Sequence, residues 1–334
     1  MSVMTHETRV HARSLVAYGE GRPDAVVLSA DLTSSTEADS FRDAFPHRFI
    51  SMGMAEQNMM SFAGGLVREG LRPLVHDFAV FMYRRSLDQI EMSIAYPSLP
   101  VSIVGFLPGL TTPGGASHQA VNDVAVMRSI PNMAIIETGD VTDVEGALHA
   151  AEEHTGPVYL RMIRGNIPRL FDTPLRFRKA RILREGTDVL VVSSGICTED
   201  AIEATQRLVQ SGVEIGHAHV STLKPFDDAE LIDRLLSACV VVTVENHSTI
   251  GGLGSAVAEV LATHGAGAPL HRMGIDDTYS HGASRDYLVT EHGIDADAIA
   301  QRLAGIVGLK SVQANRSTPV AQTNEDITTP DEAL

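Results

Sequence analysis

A chain of 334 residues in which 44% of the side chains are hydrophobic carries enough apolar surface for two α/β cores. Its formal charge of −16 excludes the clustered basic footprint that nucleic acid or an anionic membrane requires. No apolar run reaches the ~18 to 20 residues of a membrane span, the run MSVMTHETRVHAR lacks an apolar signal core, and Cys197 and Cys239 have neither metal-ligand spacing nor a disulfide framework, so a cytoplasmic protein with no metal site of its own is expected.

Between Ala25 and Arg161, short β-branched runs alternate with helical patterns: AVVLSA, AEQNMMSFAGGLVREG, RPLVHDF, RSLDQIEMSIAY, PVSIVGF, NDVAVMRSI, MAIIET, VTDVEGALHAAEEH and PVYLRM. This alternation predicts a parallel sheet covered on both faces. The pattern breaks in GNIPRLFDTPLRFRKARI, the expected linker, and resumes at Thr187 with the strands DVLVVSS, EIGHAHV and VVVTVEN separated by helical runs. The expected fold is two successive open α/β domains with mainly parallel sheets, at 1–180 and 181–310. A polar, Pro/Thr-rich tail at 311–334 is expected to be disordered.

Open parallel sheets bind ligands beyond the carboxyl ends of their strands, so the loops there are where chemistry is sought. The first such candidate is Glu56, which opens a helical run just after the strand-like RFISM. Helical period puts it on one face with Met59, Met60, Ala63 and Val67, aiming an acid at apolar surroundings. A first-turn carboxylate stabilised by the helix dipole would look the same.

The run GMAEQNMMSFAGGLVREGLRPLVHDFAVFMYRRSLDQI resembles the pyrimidine-binding domain of transketolase and of 1-deoxyxylulose-5-phosphate synthase. It carries the Ala-Glu-Gln form of the glutamate signature, followed by Phe-x-x-Phe, Arg and Asp-Gln. The resemblance implies that Glu56 hydrogen-bonds the aminopyrimidine of thiamine diphosphate and favours its imino tautomer. It also implies that Phe81 stacks on the pyrimidine, with Phe78 as the second candidate, although both would also serve as ordinary core aromatics. Arg85 beside the cofactor and His76 beside the substrate are further polar contacts expected at the same loop, as is Arg84.

PGGASHQAVNDVAVMRSIPNM resembles the family's Asp-Gly-x-Thr-His-Gln loop, which makes His118 the substrate-facing proton donor and acceptor. GPVYLRMIRGNIPRL resembles the family's Arg-x-Asn turn and offers Arg164 as an anion ligand, where a surface arginine capping a strand end is the plainer reading. Three positions depart from the family. Gly114 replaces the acidic residue that contacts a sugar hydroxyl, Asp39 stands about where an arginine meets the phosphate, and Phe106 stands about where a phosphate-contacting histidine is found.

The Gly-rich loop of VVVTVENHSTIGGLGSAVAEVL invites a dinucleotide reading, but it lacks the G-x-G-x-x-G order. It is closer to the C-terminal domain of transketolases and of 2-oxoacid dehydrogenase β subunits. No Gly-Asp-Gly run with a following Asn is present, so the resemblance implies that Mg²⁺ or another divalent cation and the cofactor's diphosphate are held by a second polypeptide. The expected assembly is an α₂β₂ heterotetramer with an N-terminal transketolase subunit, acting on a small sugar or sugar phosphate.

The expected function is transfer of a two-carbon ketol unit from a ketose to an aldehyde. A 2-oxoacid dehydrogenase β subunit or a deoxyxylulose-phosphate-synthase-like enzyme is the alternative within the superfamily. An NAD-binding oxidoreductase or a non-catalytic α/β scaffold is the alternative outside it.

Overall fold

The structure, a computed structural model, describes residues 5–210 and 212–308; the expected disordered tail at 311–334 lies outside the described residues. Seven strands form one sheet in the order Thr222–Lys224, Ala134–Glu137, Val158–Met162, Ser102–Phe106, Arg72–Phe78, Ala25–Ser29 and Phe49–Ser51. All neighbours in it are parallel except Thr222–Lys224, which runs antiparallel along Ala134–Glu137. A second sheet orders Leu270–Ile275, Val241–Ser248, Val189–Ser193, Ile215–His219 and Arg181–Arg184, with only the last strand antiparallel. The mixed α/β architecture with mainly parallel sheets is the one expected.

The strands read as near-continuous apolar runs because both faces of each sheet are covered; Ala25–Ser29, Val158–Met162 and Val189–Ser193 are buried at every position. Strand alternation divides Arg72–Phe78 between the two faces of its sheet. His76 points to the side of the helix Val10–Gly21, where it meets His11, and Asp77 points to the opposite side.

That opposite side is covered by the helix Glu56–Arg68, which buries Met59, Met60 and Ala63. The helix lies so close to the π-helical segment Ile90–Ala95 that a side chain on Gly64 would come within 2.5 Å of the Ser93 carbonyl oxygen. Close approach of two backbones is what a glycine at this helical position permits. Among the described residues, no helix is long and apolar enough to cross a membrane.

The strand Thr222–Lys224 was not expected from the sequence. It leaves the second set of elements and covers the outer edge of the first sheet, while Lys224 Nζ donates to the carbonyls of Arg128 and Ile130. An otherwise open edge is closed in this way.

Candidate active site

Glu56 is the first residue of its helix and is reached from the strand Phe49–Ser51 through a turn in which Gly53 holds φ +66°. Only 5% of Glu56 is exposed. The helix N-terminus favours its negative charge, and Arg85, whose side chain is 48% exposed, donates Nη1–H to Oε1. The same guanidinium lies over the Phe81 ring, with Cζ 4.0 Å from the centroid. A planar, N–H-bearing group thus bridges an aromatic face and a buried carboxylate.

Phe81 and Arg85 come from the short helix Ala79–Arg85, which starts directly at the carboxyl end of the strand Arg72–Phe78. Phe78 lies one turn from Phe81, their ring centroids 5.8 Å apart, and the edge of His118 meets Phe81 at 5.4 Å. His118 is half-buried, and its Nδ1 is 2.9 Å from the Ser117 hydroxyl.

Two features hold the His118 turn. Arg84, although exposed, donates to the carbonyls of Ala116 and Gln119 and to the Tyr83 hydroxyl, so its donors brace the loop. Gly114 leaves the room that His118 fills: a Cβ there would lie 2.7 Å from both Cβ and Cγ of His118. The missing acidic side chain noted from the sequence therefore coincides with a position where this backbone accepts none.

The structure brings Glu56, Arg85, Phe81, Phe78 and His118 together beyond the carboxyl ends of the first sheet's strands. It places His76 elsewhere, contrary to the expectation of a substrate contact. His76 is fully buried beneath the helix Val10–Gly21, its Nε2 is 2.9 Å from His11 Nε2, and its Nδ1 is paired with the Leu74 carbonyl. Burial presses the His76 imidazole down to about 4, which keeps it neutral. Phe106 is buried against the same pair, 5.2 Å from the His11 ring.

Arg164 is exposed on a turn just past the strand Val158–Met162, where Gly165 holds φ +87°. Its strand is two places from that of Phe78, roughly 10 Å at the usual strand spacing. Asp39 is ion-paired with Arg9 at 2.7 Å, and Arg9 also reaches the Ser40 hydroxyl.

One residue of the strand Arg72–Phe78 escaped the sequence reading. Asp77 is fully buried, its Oδ1 accepts the Phe78 N–H at 2.7 Å, and its Oδ2 has no partner. The signal was present as an acid inside the apolar run RPLVHDF.

The Gly-rich loop of the second set of elements is occupied by the protein itself. Glu245 accepts the Leu253 and Gly254 N–H groups at 2.7 and 2.9 Å, at the start of the helix Leu253–Thr263. A phosphate would need those same donors. Among the described residues, no group of three or more His, Cys, Asp or Glu side chains is arranged to hold a metal ion.

A planar aminopyrimidine fits the place now spanned by Arg85, because it would present an aromatic face to Phe81 and a ring nitrogen to Glu56. The half-exposed Arg85 side chain has the freedom to leave it.

Comparison with known proteins identifies the family. The family described as transketolase, pyrimidine binding domain, matches residues 8–169, and transketolase, C-terminal domain, matches residues 178–299. An uncharacterized transketolase family protein of Sinorhizobium fredii is 42% identical, over 88% of this chain and 86% of that protein. A 6-deoxy-6-sulfo-D-fructose transketolase subunit of a Clostridium species is 37% identical, over 86% of this chain and 90% of its own length. The solved structure described as a split gene transketolase, inactive β4 tetramer, superposes with a TM-score of 0.82 at 37% identity. That match covers 92% of this chain and 100% of the other.

Proposed function

The chain belongs to the transketolase family, and we propose that it is the half of a two-chain ketol transferase that activates thiamine diphosphate through Glu56. The observation that carries this reading is the bridge of Glu56, Arg85 and Phe81, in which one planar guanidinium reaches both a buried acid and an aromatic face.

Thiamine diphosphate, when bound, supplies the electron sink that accepts the carbanion of a cleaved ketose. Glu56 would hold a proton against its aminopyrimidine ring nitrogen, Phe81 would stack on the ring with Phe78 behind it, and Arg85 would swing aside to admit it. His118, edge-on to Phe81 at 5.4 Å, exchanges a proton with the substrate oxygen, and Arg164 serves an anionic end of the substrate.

A partner subunit carries the divalent cation and the diphosphate site, and two copies of each chain assemble as α₂β₂. The outward side of the region around Glu56 supports this: Met54, Phe62, Met92 and Tyr96 are large apolar side chains left exposed there, at 79, 41, 55 and 80%. The substrates are a ketose donor and an aldehyde acceptor.

Glu56→Gln in the reconstituted complex tests the reading. Glutamine keeps the shape and one hydrogen bond but cannot carry the proton. Ketol transfer is expected to fall at least ~10²-fold with an unchanged thermal midpoint; an undiminished rate would leave a non-catalytic α/β subunit as the reading.

A further inference from the structure

His118 stands in the long loop at 107–122, between the strand Ser102–Phe106 and the helix Asp123–Ser129. The regular structure inside that loop is one turn, Gly115–Ser117, and a bridge between Pro108 and Ala120. A loop of this length has many conformations to lose, so something outside it must choose one. Arg84 and the space at Gly114 act from within the first unit, and the second unit grips the loop at both ends.

At its start, Asn246 of the strand Val241–Ser248 is buried; its Nδ2 donates to the Pro108 carbonyl at 3.1 Å and its Oδ1 accepts the Leu110 N–H at 2.9 Å. Leu110 and Val121, on either side of His118, are buried in one apolar cluster with Val191, Val244 and Ile275 of the second sheet. At the far end, the Ser248 N–H donates to the Val121 carbonyl at 2.7 Å.

The grip closest to the imidazole is that of Gln119, the residue after it. Gln119 is 0% exposed, and its Nε2 donates at 3.2 Å to the His281 carbonyl, in the segment between the strand Leu270–Ile275 and the helix Arg285–Glu291. The next residue, Gly282, passes so near that a Cβ on it would lie 2.7 Å from the Pro113 carbonyl oxygen. Glu56, Arg85 and Phe81, by contrast, are held against one another by elements of the first unit.

We propose that the second unit is a working part of the active site: through the Gln119 side chain and the close passage of Gly282 it fixes where the His118 imidazole stands, which makes Gln119 a positioning residue. The proposal rests on the role given to His118 above. Its physical basis is that a proton is exchanged only across a well-placed hydrogen bond, and a loop tethered one residue away from the imidazole has little freedom to misplace it.

Two measurements test it. In the full chain alone, carbethoxylation by diethyl pyrocarbonate followed by peptide mass spectrometry reads how freely each imidazole is reached. Gln119→Met keeps the buried volume but loses the donor, and Gly282→Ala drives a methyl group against Pro113. Each should speed modification of the half-buried His118 ~3-fold or more, as a loosened segment opens more often. The exposed His47 and His264 should react as before, and the thermal midpoint of Gly282→Ala should hold because that residue is exposed.

In the reconstituted complex with thiamine diphosphate, Gly282→Ala should lower kcat ~10-fold while cofactor affinity stays within about two-fold. Introduced into His118→Ala, the same substitution should lower kcat no further, because its effect passes through the imidazole. A His118 labelling rate unchanged in either variant overturns the proposal. So does a Gly282→Ala loss of equal size with and without the imidazole. A His118→Ala complex as fast as the wild type would instead withdraw the role given to His118; the labelling arm, which needs neither cofactor nor turnover, then still decides whether the second unit places the loop.

Discussion

Glu56 and Gly114 show two ways in which a single position constrains chemistry. Glu56 is legible in the sequence, because an acid at the head of an apolar helical face is a local pattern. Gly114 is legible there only as a departure, and its cause is steric: the space beyond its Cα belongs to His118. Gly114→Ala should displace the imidazole and lower kcat roughly 10-fold or more, since catalysis is sensitive to small errors of placement. Because the turn is exposed, the thermal midpoint should hardly move, and steady-state kinetics beside a melting curve would check both halves. His76 and Asp77 are sequence neighbours of similar polarity. Strand alternation sends one to His11 and the other to the face covered by the helix Glu56–Arg68, and which face is which depends on the helices that cover the sheet.

Between elements, buried charge ties the two sheets together. Arg161, at the end of the strand Val158–Met162, is fully buried and bonded to Asp123, Glu137 and the carbonyls of Ala120 and Asn246. Asn246 lies in Val241–Ser248 of the second sheet, so this one side chain spans both. Arg161→Met should cost about 3–5 kcal/mol, because Asp123 and Glu137 would be left buried and unpaired. A lower urea midpoint with unchanged slope would report it. A second buried chain runs from Asp143 through His219, Thr198 and Ser193 to His217, joining the helix Val141–Glu152 to strands of the second sheet. Little of this is legible in the sequence, where the partners stand 5 to 85 residues apart. The crossing strand Thr222–Lys224 is hidden for a related reason, since three residues carry no measurable period and their partner strand is remote.

For the molecule as a whole, buried titratable groups set the pH range of stability. Burial presses His76 and His247 down to about 4, His217 to about 3, and His11 well below its ordinary 6.5. The unfolded chain therefore binds more protons between about 6.5 and 4, and stability falls as pH drops through that window. Asp77 and Glu245 are pushed up to about 8 and Asp200 to about 6, again by burial, so these groups hold protons that the unfolded chain has released, and their contribution is lost as pH rises. Below about 6.5 the four histidines outnumber the three acids, and from about 6.5 to 8 Asp77 and Glu245 act alone. Stability should thus peak near pH 6.5. Urea midpoints across the range would check this, and Asp77→Asn should flatten the alkaline side.

The sequence by itself determined the succession of α/β units, the resemblance to transketolases and the catalytic candidate Glu56. Each is written in local period or in spacing along a few dozen residues. Only the tertiary structure decided that Arg85 spans Glu56 and Phe81, that His76 is a buried partner of His11, that Asp77 is buried on the sheet face covered by the helix Glu56–Arg68, and that a strand of the second unit closes the edge of the first sheet. These depend on which faces and edges meet when the chain closes on itself. The cost of burying a charge is settled only by the partner that arrives from elsewhere in the chain.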